Sequence, residues 1–151
     1  HDLEALLQMI TQDLVRLFDV DVVRLAMESP VAEYYEAQYG EHNYSGVSFI
    51  DPGVVDGAMG PKDDIRLIAD VQKERSEGMS QIFADCSGLI RSCALLRLEL
   101  PSDKRQVVLA FGVRHPDRFH PKQGSELLGF LAQIVEYKLD QCLKREGLDV
   151  V

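Results

Sequence analysis

The chain has 151 residues, 46% of them hydrophobic and 27% charged, with a formal net charge of −9. This length and composition fit one globular domain over residues 1–151, and no apolar run approaches the roughly 20 residues that a membrane helix needs. The acidic charge argues against binding to a phosphate backbone, so we expect neither a nucleic-acid nor a membrane partner.

The first predicted element is a helix from about Asp2 to Phe18. Its apolar residues alternate spacings of four and three, a pattern typical of a coiled-coil seam and also of the buried stripe of a globular helix. They are candidates for a dimer interface: Leu3, Leu7, Ile10, Leu14 and Leu17. Because the sequence enters this helix without an initiator Met, we expect a fragment of a longer chain.

A strand is predicted from Val20 to Met27, followed by an acidic segment over residues 30–46 that contains Tyr34, Tyr39 and Tyr44. Two interpretations remain open for these tyrosines. They lie over the sheet with their hydroxyls in water, or they form an aromatic ligand cage.

The middle of the chain predicts a mixed insert of short elements. A strand, Val47 to Ile50, precedes a short helix that Asp51 caps, and a strand from Ile65 to Asp70 is followed by a short helix from Met79 to Ala84. Arg66 and Arg91 each adjoin a strand end, where a guanidinium binds an anionic ligand, a carboxylate or a backbone carbonyl.

Two strands near the end of the chain predict a hairpin. Ser92 to Leu100 alternates in hydrophobicity, which indicates a strand with two different faces. Val107 to Val113 is continuously apolar, as expected of a central strand that is covered on both faces. The four residues from Pro101 to Lys104 form the turn between them.

The last predicted element is a long helix that starts near Pro121, with His120 at the cap position. Its apolar residues between Leu127 and Leu143 spread over a wider arc than one core-facing stripe needs. Part of that arc is expected to cover the sheet and the rest, including Phe130 and Ile134, to meet another helix in a homodimer.

Several stretches resemble a known family. Residues 119–133 (FHPKQGSELLGFLAQ) are similar to the closing segment of GAF domains, and residues 18–25, 88–98 and 112–121 resemble a bacterial GAF-like family known only as domain of unknown function 484. The resemblance implies an α+β fold: a central antiparallel sheet, N- and C-terminal helices on one face and a mixed insert on the other. GAF domains as a class bind small molecules between the sheet and the insert. Proteins of the resembled family carry a helical, coiled-coil-like region before the GAF-like part, so the resemblance implies that such an N-terminal region is absent from this sequence.

Catalytic chemistry is disfavoured by the sequence. Cys86, Cys93 and Cys142 show no metal-binding or redox-motif spacing, and buried reduced thiols in a cytoplasmic protein are the simpler interpretation. His115, Asp117 and His120 lack a further ligand fixed by the sequence, so we expect no metal. Some GAF proteins reduce free methionine sulfoxide with loop cysteines, which keeps a cysteine-based reductase as an alternative.

We therefore expect a non-catalytic, GAF-like regulatory module that senses a small molecule, forms a homodimer and needs no cofactor. The candidate ligand-binding residues are Tyr34, Tyr39, Tyr44, Phe49, Arg66 and Arg91. A ligand-free dimerisation scaffold is the other alternative.

Overall fold

A computed structural model describes residues 2–32, 34, 46–74, 78–102, 105–121 and 124–146. The chain begins with α1 (Asp2–Gln8), a π-helical turn (Met9–Asp13) and α2 (Leu14–Leu17), which together match the predicted first helix. The strands are β1 (Val22–Glu28), β2 (Val47–Ile50), β3 (Ile65–Ile68), β4 (Ser92–Glu99) and β5 (Gln106–Val113). The later helices are α3 (Val54–Met59), α4 (Met79–Phe83), a 3₁₀ turn (Ala84–Cys86) and α5 (Glu126–Glu146).

The five strands form one sheet in the order β2-β1-β5-β4-β3. The apolar strand β5 is therefore central, as predicted, and it pairs antiparallel with β4 in the predicted hairpin. The β1–β2 pair at one edge is parallel and the other three pairs are antiparallel, so the central part of the sheet is antiparallel as predicted. Residues 29–46 separate these two strands, a connection long enough for the crossover that a parallel pair requires.

Each face of the sheet has its own hydrophobic core. On one face, Leu25, Leu96 and Leu109 pack with the terminal helices, and Leu7 and Leu139 belong to the same cluster. On the other face, Leu95, Val108 and Ala110 pack with α3 and α4. This arrangement confirms the predicted placement of the terminal helices on one side and the insert on the other.

The π-helical turn brings the first helical segment close to the start of β2. Within it, the Thr11 hydroxyl donates to the Leu7 carbonyl over 2.8 Å, and a Cβ added at Gly46 would lie 2.5 Å from Thr11 Cγ2. Gly46 also has φ +85°, a backbone conformation that favours glycine. Only a glycine fits where the chain enters β2 against this helix.

Two predicted helix starts are wrong. Gly53, with φ 93°, occupies the N-cap of α3 in place of the predicted Asp51. Helix α5 begins at Glu126 instead of near Pro121. The reason lies at Phe119, which is buried and held by Ser92: the Ser92 hydroxyl accepts from the Phe119 amide at 3.0 Å. Phe119 is therefore fixed in the core, and α5 begins seven residues later, at Glu126.

Candidate functional site

The insert is attached to the sheet by charged side chains. Arg97 of β4, whose side chain is only 7% exposed, donates to Asp56 of α3 over 2.5 Å and to the carbonyls of Asp63 (3.1 Å) and Gly60. From β1, the Glu28 carboxylate accepts the Val55 amide over 2.8 Å at the start of α3. These bonds satisfy polar groups at the edge of the insert core and fix α3 over the sheet.

The two arginines proposed as ligand contacts have structural partners. Arg66 donates to the Ala58 carbonyl at 2.5 Å and to Glu74 at 3.0 Å. Arg91 pairs with Asp70 at 3.3 Å. Burial of Asp70 acts to raise the pKa of its carboxyl, but the hydrogen bonds from Arg91 and the Gln72 amide, together with the charges of Arg91 and Lys73, lower that pKa overall. Both arginines therefore hold the insert in place.

The structure describes two of the predicted aromatic ligand residues, Tyr34 and Phe49. Phe49 is buried among the residues that pack with the terminal helices, on the face opposite the insert, so it does not belong to an insert-side site. The side chain of Tyr34 is 61% exposed. Tyr39 and Tyr44 lie outside the described residues, and their role stays a prediction.

Arg24 is a buried charged residue on the insert side of the sheet and is not among the predicted site residues. It is only 2% exposed and donates to the Ser48 hydroxyl of β2 over 2.6 Å. The signal was present in the sequence, because Arg24 is the one charged residue within the apolar run Val22–Met27. A buried guanidinium beside a hydroxyl is a polar pair of the kind that orients ligands.

Another concavity lies between α5 and the β3–β4 edge of the sheet. It has a volume of about 510 Å³, within the range of small-molecule sites. We call it the α5 groove. Its lining comes from three separate parts of the chain: Asp64, Ile65, Arg97, Glu99, Leu100, Pro101, Gly129, Ala132, Gln133 and Glu136.

Two small residues of α5, Gly129 and Ala132, line the α5 groove, and a Cβ added at Gly129 would lie 3.8 Å from Ile65 Cδ1, in ordinary van der Waals contact. Its rim is acidic. The Glu136 carboxylate accepts the Glu99 amide at 2.8 Å, and one turn further along α5 the Asp140 carboxylate accepts from the Ser102 amide and hydroxyl at 3.2 and 2.8 Å. These bonds join α5 to the end of β4.

Two smaller concavities lie outside the α5 groove, each below the roughly 300 Å³ typical of ligand sites. One of about 260 Å³ includes Arg66 and Glu74, and one of about 220 Å³ includes Cys86 and Arg114. Neither contains any of the predicted tyrosines among its described lining residues.

The cysteines occupy three different environments, and all are thiols. Cys93 is buried on β4 in the insert core, where desolvation raises the pKa of its thiol to about 12. Cys86 and Cys142 are half-buried, the first beside the insert core and the second beside the helix-side core. Within the described ranges, no three His, Cys, Asp or Glu side chains are placed to hold a metal ion.

The candidate dimer residues separate into two groups. Leu3, Leu7, Ile10 and Leu14 are each at most 4% exposed, because the sheet and α5 cover them within a single chain. They therefore offer no surface to a second copy, which corrects this part of the predicted interface. Exposed members are Leu17 at 74%, Phe130 at 62% and Ile134 at 38%.

Comparisons with known proteins agree with this architecture. The chain is similar to GAF3 of Slr1393 from Synechocystis sp. PCC6803, solved in its photoproduct state, with a TM-score of 0.59 and 11% identity over 96% of this chain and 98% of that one. The fold is thus that of a GAF domain. The family model "Protein of unknown function, DUF484" matches residues 57–143, more than half of the chain, and the chain belongs to that family.

No curated protein matches the chain. In the part of the chain that the structure describes, no helix combines the length and hydropathy needed to cross a bilayer.

Proposed function

We propose that this chain is a non-catalytic regulatory module that senses a small molecule and acts as a homodimer. The observation that carries the proposal is that α5 has two free surfaces. One side of this helix lines the α5 groove, and another side exposes apolar side chains, including Phe130 and Ile134. A ligand in the groove would contact the same helix that contacts the second copy.

The α5 groove has the features of a ligand site. It is large enough for a small molecule, and Ile65, Leu100 and Ala132 supply apolar contacts. The carboxylates of Asp64, Glu99 and Glu136 favour a ligand that carries hydrogen-bond donors or positive charge on the groove side.

Coupling between ligand and dimer follows from the way α5 is held. Carboxylates of Glu136 and Asp140 bind the backbone at the end of β4, which forms part of the groove wall. A ligand that separates or tightens these contacts shifts α5 relative to the sheet, and thereby changes the surface offered to the partner.

The reductase alternative finds little support in the thiols. Thiolate is the nucleophilic form of cysteine, and the pKa of about 12 keeps Cys93 protonated at neutral pH. Cys86 lies beside a concavity of only about 220 Å³. All three thiols suit a reducing compartment, so a cytoplasmic location is part of the proposal.

Native mass spectrometry of freshly purified chain tests the proposal, together with a groove-filling variant, Gly129→Leu. The matched control is Gly88→Leu, since an added Cβ at Gly88 meets nothing within 4 Å. We expect wild type and the Gly88 variant to retain a small molecule that the Gly129 variant loses. Retention of no small molecule by wild type would leave the ligand-free scaffold, and equal retention by all three proteins would place the ligand outside the groove.

A further inference from the structure

Helix α5 exposes a regular row of large apolar side chains. Leu127 is 66% exposed, Phe130 62%, Ile134 38% and Tyr137 61%. Their spacings of three, four and three residues place them on one stripe of the helix. The opposite stripe, with Val135, Leu139 and Leu143, is buried in the core. We call the exposed set the α5 row; the described part of its own chain leaves it uncovered.

We propose that the α5 row binds the α5 row of a second copy of this chain in an antiparallel orientation, with the two-fold axis at the level of Ala132. This inference rests on the homodimer of the proposed function and specifies its surface and geometry. In this register Leu127 lies opposite Tyr137 of the other copy, and Phe130 lies opposite Ile134. Each of these contacts then combines one aromatic with one aliphatic side chain. In a parallel pair, each side chain would instead lie opposite the same residue of the other copy.

Charge favours the same orientation. The exposed Glu126 precedes the row and the exposed Lys138 follows it, six residues before and six residues after Ala132. An antiparallel pair sets Glu126 of one copy at the level of Lys138 of the other, whereas a parallel pair sets lysine at the level of lysine. The helix dipoles also oppose each other when the helices are antiparallel. Because the two side chains flank the row on opposite sides, we assign them a role in orientation and not a direct ion pair.

The size of the surface predicts a weak, reversible dimer. A fully buried aromatic side chain covers roughly 150–250 Å², so the four side chains at their observed exposures offer on the order of 400 Å² per copy. The stems of flanking residues such as Gln133 and Gln141 bring the total for both copies to about 1,000 Å², the lower limit for a specific interface. We expect a dissociation constant of ~1–100 μM.

Spin-label distances test the orientation. Labels are placed at Lys144→Cys or Gln133→Cys in a background in which Cys86 and Cys142 are replaced by Ser. With a rise of 1.5 Å per residue and the axis at Ala132, the antiparallel pair puts the two residues 144 about 36 Å apart along the helix and the two residues 133 about 3 Å apart. Helix packing adds 8–10 Å sideways in either orientation. A short 144–144 distance in a dimer would overturn the orientation but leave the homodimer standing.

Sedimentation between roughly 1 and 300 μM tests the surface itself. Phe130→Glu should weaken the dimer at least tenfold, as expected for an aromatic at the centre of an interface. Leu89→Glu is the matched control, because Leu89 is 57% exposed on the insert side, away from α5. A dimer that survives Phe130→Glu would overturn the α5 row as its surface. A wild-type chain that stays monomeric at every concentration would overturn the homodimer and this inference together.

Discussion

Strand β5 carries a glycine, Gly112, at a point where Phe83 and Ile90 pack closely on the sheet, and Gly112→Ala tests that packing. A Cβ at this position would lie 2.7 Å from Ile90 Cδ1, 2.9 Å from Phe83 Cε1 and 3.1 Å from Ile90 Cγ1. Carbon atoms in favourable contact are about 3.5–4.0 Å apart, so two buried side chains would have to move. Overpacking of this kind costs about 1–3 kcal/mol.

Alanine also restricts the unfolded chain, which offsets about 0.4–1 kcal/mol of that cost. We therefore expect Gly112→Ala to lower the free energy of unfolding by about 1–2 kcal/mol, or a melting temperature lower by roughly 2–8 °C for a chain of this length. Urea unfolding followed by circular dichroism measures the change.

Ile90→Val provides the partner for a double-mutant cycle, because it removes the Cδ1 atom that lies nearest to the added methyl group. Gly112→Ala should cost less in the Ile90→Val background than in wild type. An unchanged cost in both backgrounds, or a stabilising Gly112→Ala, would show that the insert does not press on β5 at this point.

Three further outcomes are expected. Gly129→Ala should raise the free energy of unfolding by about 0.5–1 kcal/mol, since this helical glycine has room for a methyl group; a lower melting temperature would contradict this. Burial raises the pKa of the Cys93 thiol from 9.0 in the unfolded chain to about 12 in the folded chain. Above pH 9.0 the thiol therefore ionises only in the unfolded chain, and the free energy of unfolding falls. Wild type should lose about 1 kcal/mol more than Cys93→Ala between pH 8 and pH 10 in urea unfolding, and equal losses would speak against the burial. Leu7→Lys should give unfolded or insoluble protein, because Leu7 is only 4% exposed, whereas Phe130→Glu should keep the wild-type circular dichroism spectrum; the reverse result would place Leu7 at the surface.

The sheet was predictable because hydrophobic pattern depends directly on how a strand is covered. The unbroken run Val107–Val113 predicted a central strand, and the alternation in Ser92–Leu100 placed Leu95 and Leu96 on opposite faces, as observed. Both patterns are local and need no knowledge of the partners.

The burial of the first helix could not be predicted from its spacing, because the same spacing is typical of two different structures. A four-three repeat marks the buried stripe of a globular helix as well as a coiled-coil seam, so Leu3 to Leu14 could not be assigned to either by pattern. In α5 the arc was wide enough to predict two packing surfaces, and the structure separates the buried Val135 from the exposed Phe130.

The α5 groove could not be predicted, because its walls meet only in the folded chain. Asp64, Glu99 and Gly129 are far apart in sequence, and no local pattern links them. The proposed roles of Arg66 and Arg91 illustrate the same limit. An arginine at a strand end binds a ligand or a neighbouring loop, and only the positions of Glu74 and Asp70 decide between these partners.

The central claim is that the ligand groove and the dimer surface share α5, and the dimer dissociation constant of Gly129→Leu tests it most directly. Sedimentation equilibrium would compare this variant with wild type and with Gly88→Leu under one buffer condition. Coupling between two sites is commonly 1–3 kcal/mol, so we expect filling the groove to change the dissociation constant at least about fivefold, with no change for Gly88→Leu. Identical constants for all three proteins, in a dimer that Phe130→Glu still dissociates, would contradict the claim.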